Sequence, residues 1–366
     1  MKNRWLLYLL FLLLLVSCGY DPWDYYDKAL ISPNPVNLSA VNSIYDDYNS
    51  NFPQRFRVGV DVPFFFSSNR KTQGKSFDIL HYGFKLSYDE ISNDYEVGAF
   101  EVSEKSIDSI NSEWNELGPY LTPNSYDNLG HAFDYYTKKL LINKSYPFLF
   151  ASDRTGNLDI YFNEISFQKD SSYKYKSYIG KYYESYQQYI RFFNFSAKCN
   201  SVKSLNSPFD DAYPTYVVDA SGNYPKNIIY FCSNRGGNFD IYKAECPTDQ
   251  DMLDSLSNVT ISKVDILNSE KDDKCPYIVD NVMYFTSKRD GGLGGFDLWY
   301  SIYDGTNWSQ PVNMGSKINS SSDEYRPVVA LTNRKSFFNN LLIFSSNRPG
   351  GLGGYDLYYA GIKPLQ

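Results

Sequence analysis

The sequence has few of the residues that commonly perform catalysis or bind metals. Its 366 residues include two histidines, His81 and His131, and neither lies in an H-E-x-x-H motif or at a metal-ligand spacing. It lacks the G-x-S-x-G motif, and its S-x-x-K match at residues 171–174 has no companion motif. From these absences we predict no catalytic residues, no metal site and no cofactor.

Positive charge and long apolar runs are also scarce. The formal net charge is -7 at pH 7, which argues against nucleic acid as a partner. The apolar run at residues 5–16 has twelve residues, too few to span a bilayer as a helix, and it follows the basic residues Lys2 and Arg4. We therefore predict that residues 1–17 are an export signal.

What the sequence does have is a hairpin pattern that occurs five times. An apolar strand leads into Ser-x-Arg, a turn follows, and Asp-Ile or Asp-Leu opens a second strand, ten or seven residues after the serine. The repeated residues are Arg70, Arg154, Arg235, Arg289 and Arg348, and Asp78, Asp159, Asp240, Asp297 and Asp356. Because a residue that recurs in every repeat serves something that every repeat shares, we predict that these arginines and aspartates are structural.

A second element precedes each hairpin. Asn-Ser leads to an acidic pair and then to a proline, eight residues after the asparagine, at residues 206–214, 268–276 and 319–327. Looser copies occur at Asp46-Asp47 and near Asp127. An arginine can hold a carboxylate in each repeat. The alternative is that the acidic pairs ring an axial channel and bind a cation or a basic peptide.

The combined pattern, D-[DE]-x-x-P followed by F-x-S-x-R-x-G-G-x-D-[IL]-Y, resembles the WD-like repeat of TolB-type propeller proteins. It predicts an all-β fold, a single β-propeller. The serines are 84, 81, 54 and 59 residues apart, which favours five blades with insertions near residues 85–114 and 171–196; six blades is the alternative. A strand at residues 36–41 is expected to complete the last blade and close the ring.

The sequence Leu15-Val16-Ser17-Cys18 looks like the lipobox of bacterial lipoproteins. The resemblance implies that Cys18 carries the lipid, that residues 18–35 form a tether and that residues 36–366 form the propeller. Removal of residues 1–17 takes away two positive charges, so the net charge becomes -9. We expect an outer-membrane lipoprotein of the cell envelope, held at the membrane by its lipid anchor.

The insertion at residues 171–196 is rich in tyrosine. Tyrosine offers a large contact area at low entropic cost, so the segment is a candidate partner surface; the alternative is that its tyrosines pack on the propeller. The residues concerned are Tyr173, Tyr175, Tyr178, Tyr182, Tyr183, Tyr186 and Tyr189. Among the cysteines, Cys199 and Cys246 form the most plausible disulfide.

Two functions remain possible from the sequence. TolB-type propellers bind envelope partners, so the resemblance implies a non-enzymatic binding or scaffold protein that presents one propeller face to an envelope protein, a peptide or a glycan. The alternative is a carbohydrate-active or peptide-processing hydrolase or lyase, because propellers also host enzymes. An enzyme is expected to break the repeat pattern with a cluster of mismatched residues on one face.

Overall fold

Each copy of the repeated hairpin forms the middle of one antiparallel sheet, and five such sheets form the blades of a propeller. The structure is a computed structural model that describes residues 28–56, 58–102, 106–122, 133–134, 139–140, 145–167, 193–219, 226–247, 253, 259–332 and 334–365. The predicted all-β, five-bladed propeller is therefore confirmed.

The strands of the first two blades follow strand β1 (Val36–Asn37). Blade 1 contains β2 (Asp47–Asn51), β3 (Val62–Ser68), β4 (Asp78–Tyr88) and β5 (Tyr95–Glu101). Blade 2 begins with β6 (Glu116–Leu121), and a small hairpin of β7 (Phe133–Asp134) and β8 (Lys139–Leu140) follows it. The blade continues with β9 (Ser145–Ser152), β10 (Asp159–Phe167), β11 (Phe193–Phe195) and β12 (Asn200–Ser201).

The other three blades are more regular. Blade 3 contains β13 (Asp211–Asp219), β14 (Lys226–Ser233), β15 (Asp240–Pro247) and β16 (Thr260–Lys263). Blade 4 contains β17 (Asp273–Val279), β18 (Val282–Ser287), β19 (Asp297–Ile302) and β20 (Val312–Asn313). Blade 5 contains β21 (Glu324–Ala330), β22 (Asn340–Ser346) and β23 (Asp356–Ile362). Short 3-10 turns lie at Ser106–Ser109 and Asp265–Leu267.

The repeated serine and aspartate fix the register of every central hairpin. In all five blades the serine that ends the second strand pairs directly with the aspartate that opens the third, as Ser346 does with Asp356. The second strand carries the unbroken apolar run, and β3 and β22 are buried along their whole length. A strand that is covered on both faces needs apolar residues without alternation, which explains the pattern.

The N-terminal strand closes the ring, as predicted. In blade 5, β1 pairs with β23 so that Val36 lies opposite Tyr359 and Asn37 opposite Tyr358. The pairing covers the outer edge of a blade that would otherwise be one strand short. Among the described residues, no helix has the length and apolar character needed to cross a membrane.

Three details differ from the sequence interpretation. Residues 85–114 hold the end of β4, all of β5 and the first 3-10 turn, so they complete blade 1. In blade 2 the acidic residue and the proline of the second repeat element are Glu116 and Pro119, which precede the copy that was predicted near Asp127. No disulfide joins Cys199 and Cys246 in the structure, which contradicts the predicted pair.

Candidate functional site

The innermost strand of every blade begins at a buried carboxylate that an arginine of the same blade holds. The guanidinium Nη2 lies 2.5 to 2.9 Å from a carboxylate oxygen in all five blades. The arginine also donates from Nε to the serine of Ser-x-Arg. We call these pairs the locks: Asp47–Arg70, Glu116–Arg154, Asp211–Arg235, Asp273–Arg289 and Glu324–Arg348.

The residue before each lock carboxylate joins neighbouring blades. Its side-chain oxygen accepts a backbone N–H from the strand-opening turn of the preceding blade, at 2.7 to 3.1 Å. The residues concerned are Asp46, Asn115, Asp210, Asp272 and Asp323. The acidic pairs considered as a cation or basic-peptide site are thus already engaged in hydrogen bonds within the propeller. Within the described part of the chain, no group of three or more His, Cys, Asp or Glu could hold a metal ion.

The strand-opening aspartates stabilise their own turns or neighbouring strands. Asp356 accepts two backbone N–H groups of its turn, with Leu352 N at 2.5 Å, and Asp297 accepts two in the same way. Asp240 instead accepts from Lys263 Nζ at 2.7 Å. The remaining predicted site residues, Cys18, Tyr173, Tyr175, Tyr178, Tyr182, Tyr183, Tyr186 and Tyr189, lie outside the described residues.

Two residues beyond each lock carboxylate, the innermost strand contains a β-bulge. Pairing with the second strand shifts register there in all five blades. The bulge residue is left-handed in every case, with φ between 50 and 59°. Such angles are rare for bulky residues, and bulges and strained angles are common beside functional sites. We call these residues the bulge ring: Asn49, Gly118, Tyr213, Cys275 and Arg326.

Residues of the bulge ring contact one another across the propeller axis. Asn49 Nδ2 donates to the hydroxyl of Tyr213 at 3.5 Å. The guanidinium of Arg326 lies 5.5 Å from the centre of the Tyr213 ring and donates to the carbonyl oxygen of Pro119 at 3.1 Å. A Cβ on Gly118 would lie 2.4 Å from the same tyrosine ring, so only glycine fits there. The ring therefore joins side chains from different blades in one buried cluster.

Several polar atoms in and beside this ring have no hydrogen-bond partner among the described residues. They are Asn49 Oδ1, Ser50 Oγ, Asn51 Nδ2, Thr215 Oγ1, and Arg326 Nε and Nη1. All five side chains are at most 1% exposed. Buried polar atoms are normally paired, because leaving one unpaired costs about 1–3 kcal/mol. These atoms therefore leave hydrogen-bonding capacity inside the propeller that the described residues do not use.

Aromatic side chains lie between this cluster and the start of the innermost strands. Tyr48 and Tyr325 directly precede bulge residues, and their ring centres are 6.5 Å apart. Tyr325 also lies 6.0 Å from Tyr213. Burial raises the pKa of Tyr213 and Tyr325 well above the usual value for a phenol. At neutral pH these hydroxyls are protonated and can donate hydrogen bonds.

The sequence analysis missed the bulge ring, although its signal is present. In D-[DE]-x-x-P the residue before proline is a variable position, and it carries Tyr213, Cys275 and Arg326 in three blades. Its neighbours repeat because they build the blade. The bulge residue is therefore a variable position inside a regular repeat, at the same place in every blade.

Comparisons with known proteins give structural neighbours only. No protein-family model and no curated protein matches the chain. A levansucrase of B. subtilis is 9% identical, with a TM-score of 0.48, and the match covers 90% of this chain and 86% of that one. A family 117 glycoside hydrolase from Zobellia galactanivorans is 11% identical, with a TM-score of 0.44 and 91% of each chain covered.

An exo-beta-1,3-galactanase from Clostridium thermocellum is 10% identical, with a TM-score of 0.44; the match covers 92% of this chain and spans 63% of the galactanase's length. These neighbours are glycoside-hydrolase propellers and not TolB-type proteins, which contradicts the predicted non-enzymatic binding platform and the prediction that the chain is not an enzyme. Similarity to solved structures at these identities and TM-scores concerns the fold alone.

Proposed function

We propose that the chain is a carbohydrate-active enzyme that binds its substrate at the bulge ring. The observation that carries the proposal is the cluster of unpartnered polar atoms at Asn49, Ser50, Thr215 and Arg326, at or within two residues of the bulge position, which carries a different residue in each blade. A residue that differs from blade to blade is not required by the fold, because the fold is built by what the blades share.

The chemistry of these atoms fits a polyhydroxy ligand. Ser50 Oγ and Thr215 Oγ1 can both donate and accept, Asn49 Oδ1 accepts, and Arg326 donates. Sugar hydroxyls also donate and accept, so they can satisfy such a mixed set. The rings of Tyr48 and Tyr325 provide the apolar faces that a pyranose or furanose ring needs beside its hydrogen bonds.

Two residues of the ring suit the cleavage of a glycosidic bond. The phenol of Tyr213 stays protonated because burial raises its pKa, so it can donate a hydrogen bond to a leaving oxygen. The guanidinium of Arg326, beside that ring, can stabilise negative charge that develops during the reaction. The lock carboxylates are held by arginines and serines, so we assign them to the fold and not to catalysis.

The test is to incubate the full chain with a panel of neutral and acidic polysaccharides. Release of reducing ends reports hydrolysis, and the ultraviolet absorbance of an unsaturated product reports elimination. Tyr213→Phe removes only the hydroxyl and is expected to lower kcat about a hundredfold, in the range of a lost hydrogen-bond donor to the transition state.

The matched control is Tyr242→Phe. Tyr242 stacks on Arg235 of a lock, 5.2 Å from the guanidinium carbon to the ring centre, and it has no place in the bulge ring. This variant is expected to keep the activity of the unmodified chain. If the folded chain cleaves no glycan of the panel, or if Tyr213→Phe cleaves as fast as Tyr242→Phe, the proposal is wrong.

We also propose that Cys18 anchors the enzyme to the outer membrane. The support is the lipobox-like sequence that precedes it. Cys18→Ala is expected to leave the chain unprocessed and to abolish incorporation of a labelled fatty acid.

The tyrosine-rich insertion remains a candidate surface for an envelope partner or a glycan chain. Replacing residues 174–189 by a short Gly-Ser turn tests this role. Unchanged partner capture by a folded variant would contradict it.

A further inference from the structure

Arg326 is the most unusual charged residue among those described. It is 0% exposed, although arginine is seldom fully buried without a partner. Its Nη2 donates to the carbonyl oxygens of Pro119 at 3.1 Å and Gly118 at 3.5 Å, while Nε and Nη1 have no acceptor among the described residues. No ion pair joins it to any described carboxylate, in contrast to the five lock arginines.

This environment compensates only part of the charge. Two backbone carbonyls and the face of the Tyr213 ring present partial negative charge to the guanidinium. A guanidinium cannot be deprotonated in a protein, so it cannot avoid the cost of burial by becoming neutral. A hydroxyl group could fill the hydrogen bonds of Nε and Nη1 but would leave the positive charge without a counter-charge.

We infer that Arg326 binds a monoanionic substituent of a sugar, a carboxylate or a sulfate ester, and that the substrates are therefore acidic glycans. The inference rests on the proposed function and names its substrate class. One uncompensated positive charge matches a ligand group with one negative charge.

The experiment measures binding and does not depend on turnover. Thermal unfolding of the full chain is followed with galacturonate, galactose 6-sulfate, galactose and acetate at equal concentrations and ionic strength. We expect galacturonate or galactose 6-sulfate to raise the melting temperature, and galactose and acetate to change it little. Whichever of the two anionic sugars acts more strongly identifies the substituent.

Two variants test the guanidinium. Arg326→Met keeps much of the length of the side chain but removes its charge, and Arg326→Lys keeps the charge but removes the planar set of N–H donors. For Arg326→Met we expect Kd for the anionic sugar to rise about tenfold or more, as for loss of a charge-assisted hydrogen bond. Arg326→Lys should retain part of the affinity. Comparison of the two variants separates loss of charge from loss of packing.

Three outcomes overturn the inference: galactose stabilises the chain as much as galacturonate does, acetate alone reproduces the effect, or Arg326→Met binds with unchanged affinity. The proposed function fails separately. Cleavage of a neutral glycan by the unmodified chain as fast as that of any acidic glycan contradicts the acidic substrate but leaves the enzyme, whereas binding of an anionic sugar without cleavage of any glycan supports this inference and contradicts the enzyme.

Discussion

The locks and the bulge ring lie two residues apart on the same five strands, yet they differ in every physical respect. A lock repeats with one chemistry in all blades: a buried carboxylate, an arginine and two serines, each with its hydrogen bonds filled. The bulge ring has a different residue in each blade, a strained backbone and unpartnered polar atoms. The first arrangement is fully paired within the fold, whereas we propose that a ligand pairs the second.

The two groups of arginines make the contrast measurable. Arg289 is 12% exposed in its side chain and lies 2.6 Å from the fully buried Asp273, so its charge is neutralised within the fold. Arg326 is more deeply buried and has no such partner. Both side chains carry a guanidinium, but only that of Arg289 has a carboxylate partner in the fold. Removal of the charge should therefore destabilise the chain at Arg289 and should have little effect, or a stabilising one, at Arg326.

The largest effect is expected for Arg289→Met. It leaves Asp273 buried without its cation, and breaking a buried pair from one side costs about 3–5 kcal/mol. Arg326→Met removes a charge that has no counter-charge in the fold, so without ligand it should cost less than about 1 kcal/mol or stabilise the chain. Urea unfolding of both variants measures the two free energies.

Equal losses in the two variants would contradict the distinction, because they would mean that Arg326 supports the fold as a lock arginine does. Arg235→Met serves as a second lock variant, since Arg235 holds Asp211 in the same way. It should behave like Arg289→Met and unlike Arg326→Met.

The same contrast explains what could be predicted from the sequence. The five-bladed fold and its closure were predictable because the serine and the aspartate of each hairpin recur at fixed spacing and pair directly, as Ser346 does with Asp356. The locks were foreseeable in outline, because an arginine and a carboxylate recur once per blade. The mismatched residues could not be recognised as a site, since nothing in the sequence shows that Asn49 meets Tyr213, 164 residues away.

The errors also have physical reasons. The compact outer strand β5 was assigned to an insertion because residues 95–101 carry the mixed polar pattern of a half-exposed strand. The non-enzymatic function was inferred from a resemblance that lies in the blade-building residues. Such residues indicate the architecture, but they give no information about the five positions of the bulge ring, which the architecture does not determine.

A smaller effect is expected for Gly118→Ala, which tests the bulge rather than the charge. Gly118 has φ of +59°, and a Cβ there would lie 2.4 Å from Tyr213 Cδ1. Strain and overpacking together should cost about 2–3 kcal/mol, and displacement of Tyr213 should also weaken ligand binding. Denaturation and the galacturonate titration measure the two consequences.

The control for this variant is Gly59→Ala. Gly59 has φ of +83° but open space around a Cβ, so it should lose about 1 kcal/mol from backbone strain alone and keep full ligand affinity. An equal loss of affinity in both variants would show that general destabilisation, and not the position of Tyr213, weakens binding.

The smallest effect concerns pH and separates two buried locks from a more exposed ion pair. Burial is the largest influence on Glu116 and Glu324 and raises their pKa above the usual 4.5, although the hydrogen bonds from Ser112 and Ser320 and the nearby arginine charges oppose it. The folded state therefore holds these protons more tightly than the unfolded state does. Stability then falls as pH rises from about 4.5 through the raised pKa, by at most about 1.4 kcal/mol per pH unit for one group.

Replacing both residues, by Glu116→Gln and Glu324→Gln, should lessen this decline, because glutamine keeps an acceptor but does not titrate. The decline should not vanish, because burial also raises the pKa of Asp61, Asp78, Asp159 and Asp240. Glu245→Gln is the control of opposite sign. Burial raises the pKa of Glu245, but the hydrogen bonds and charges of Lys226 and Lys243 outweigh it and lower the pKa overall. Its contribution to stability is present above pH 4.5 and is lost as pH falls. Unfolding free energies measured from pH 3 to pH 8 should therefore decline less above pH 4.5 in the double variant and fall less below pH 4.5 in the control. A double variant whose stability declines above pH 4.5 as steeply as that of the unmodified chain would place the titrating groups outside the locks.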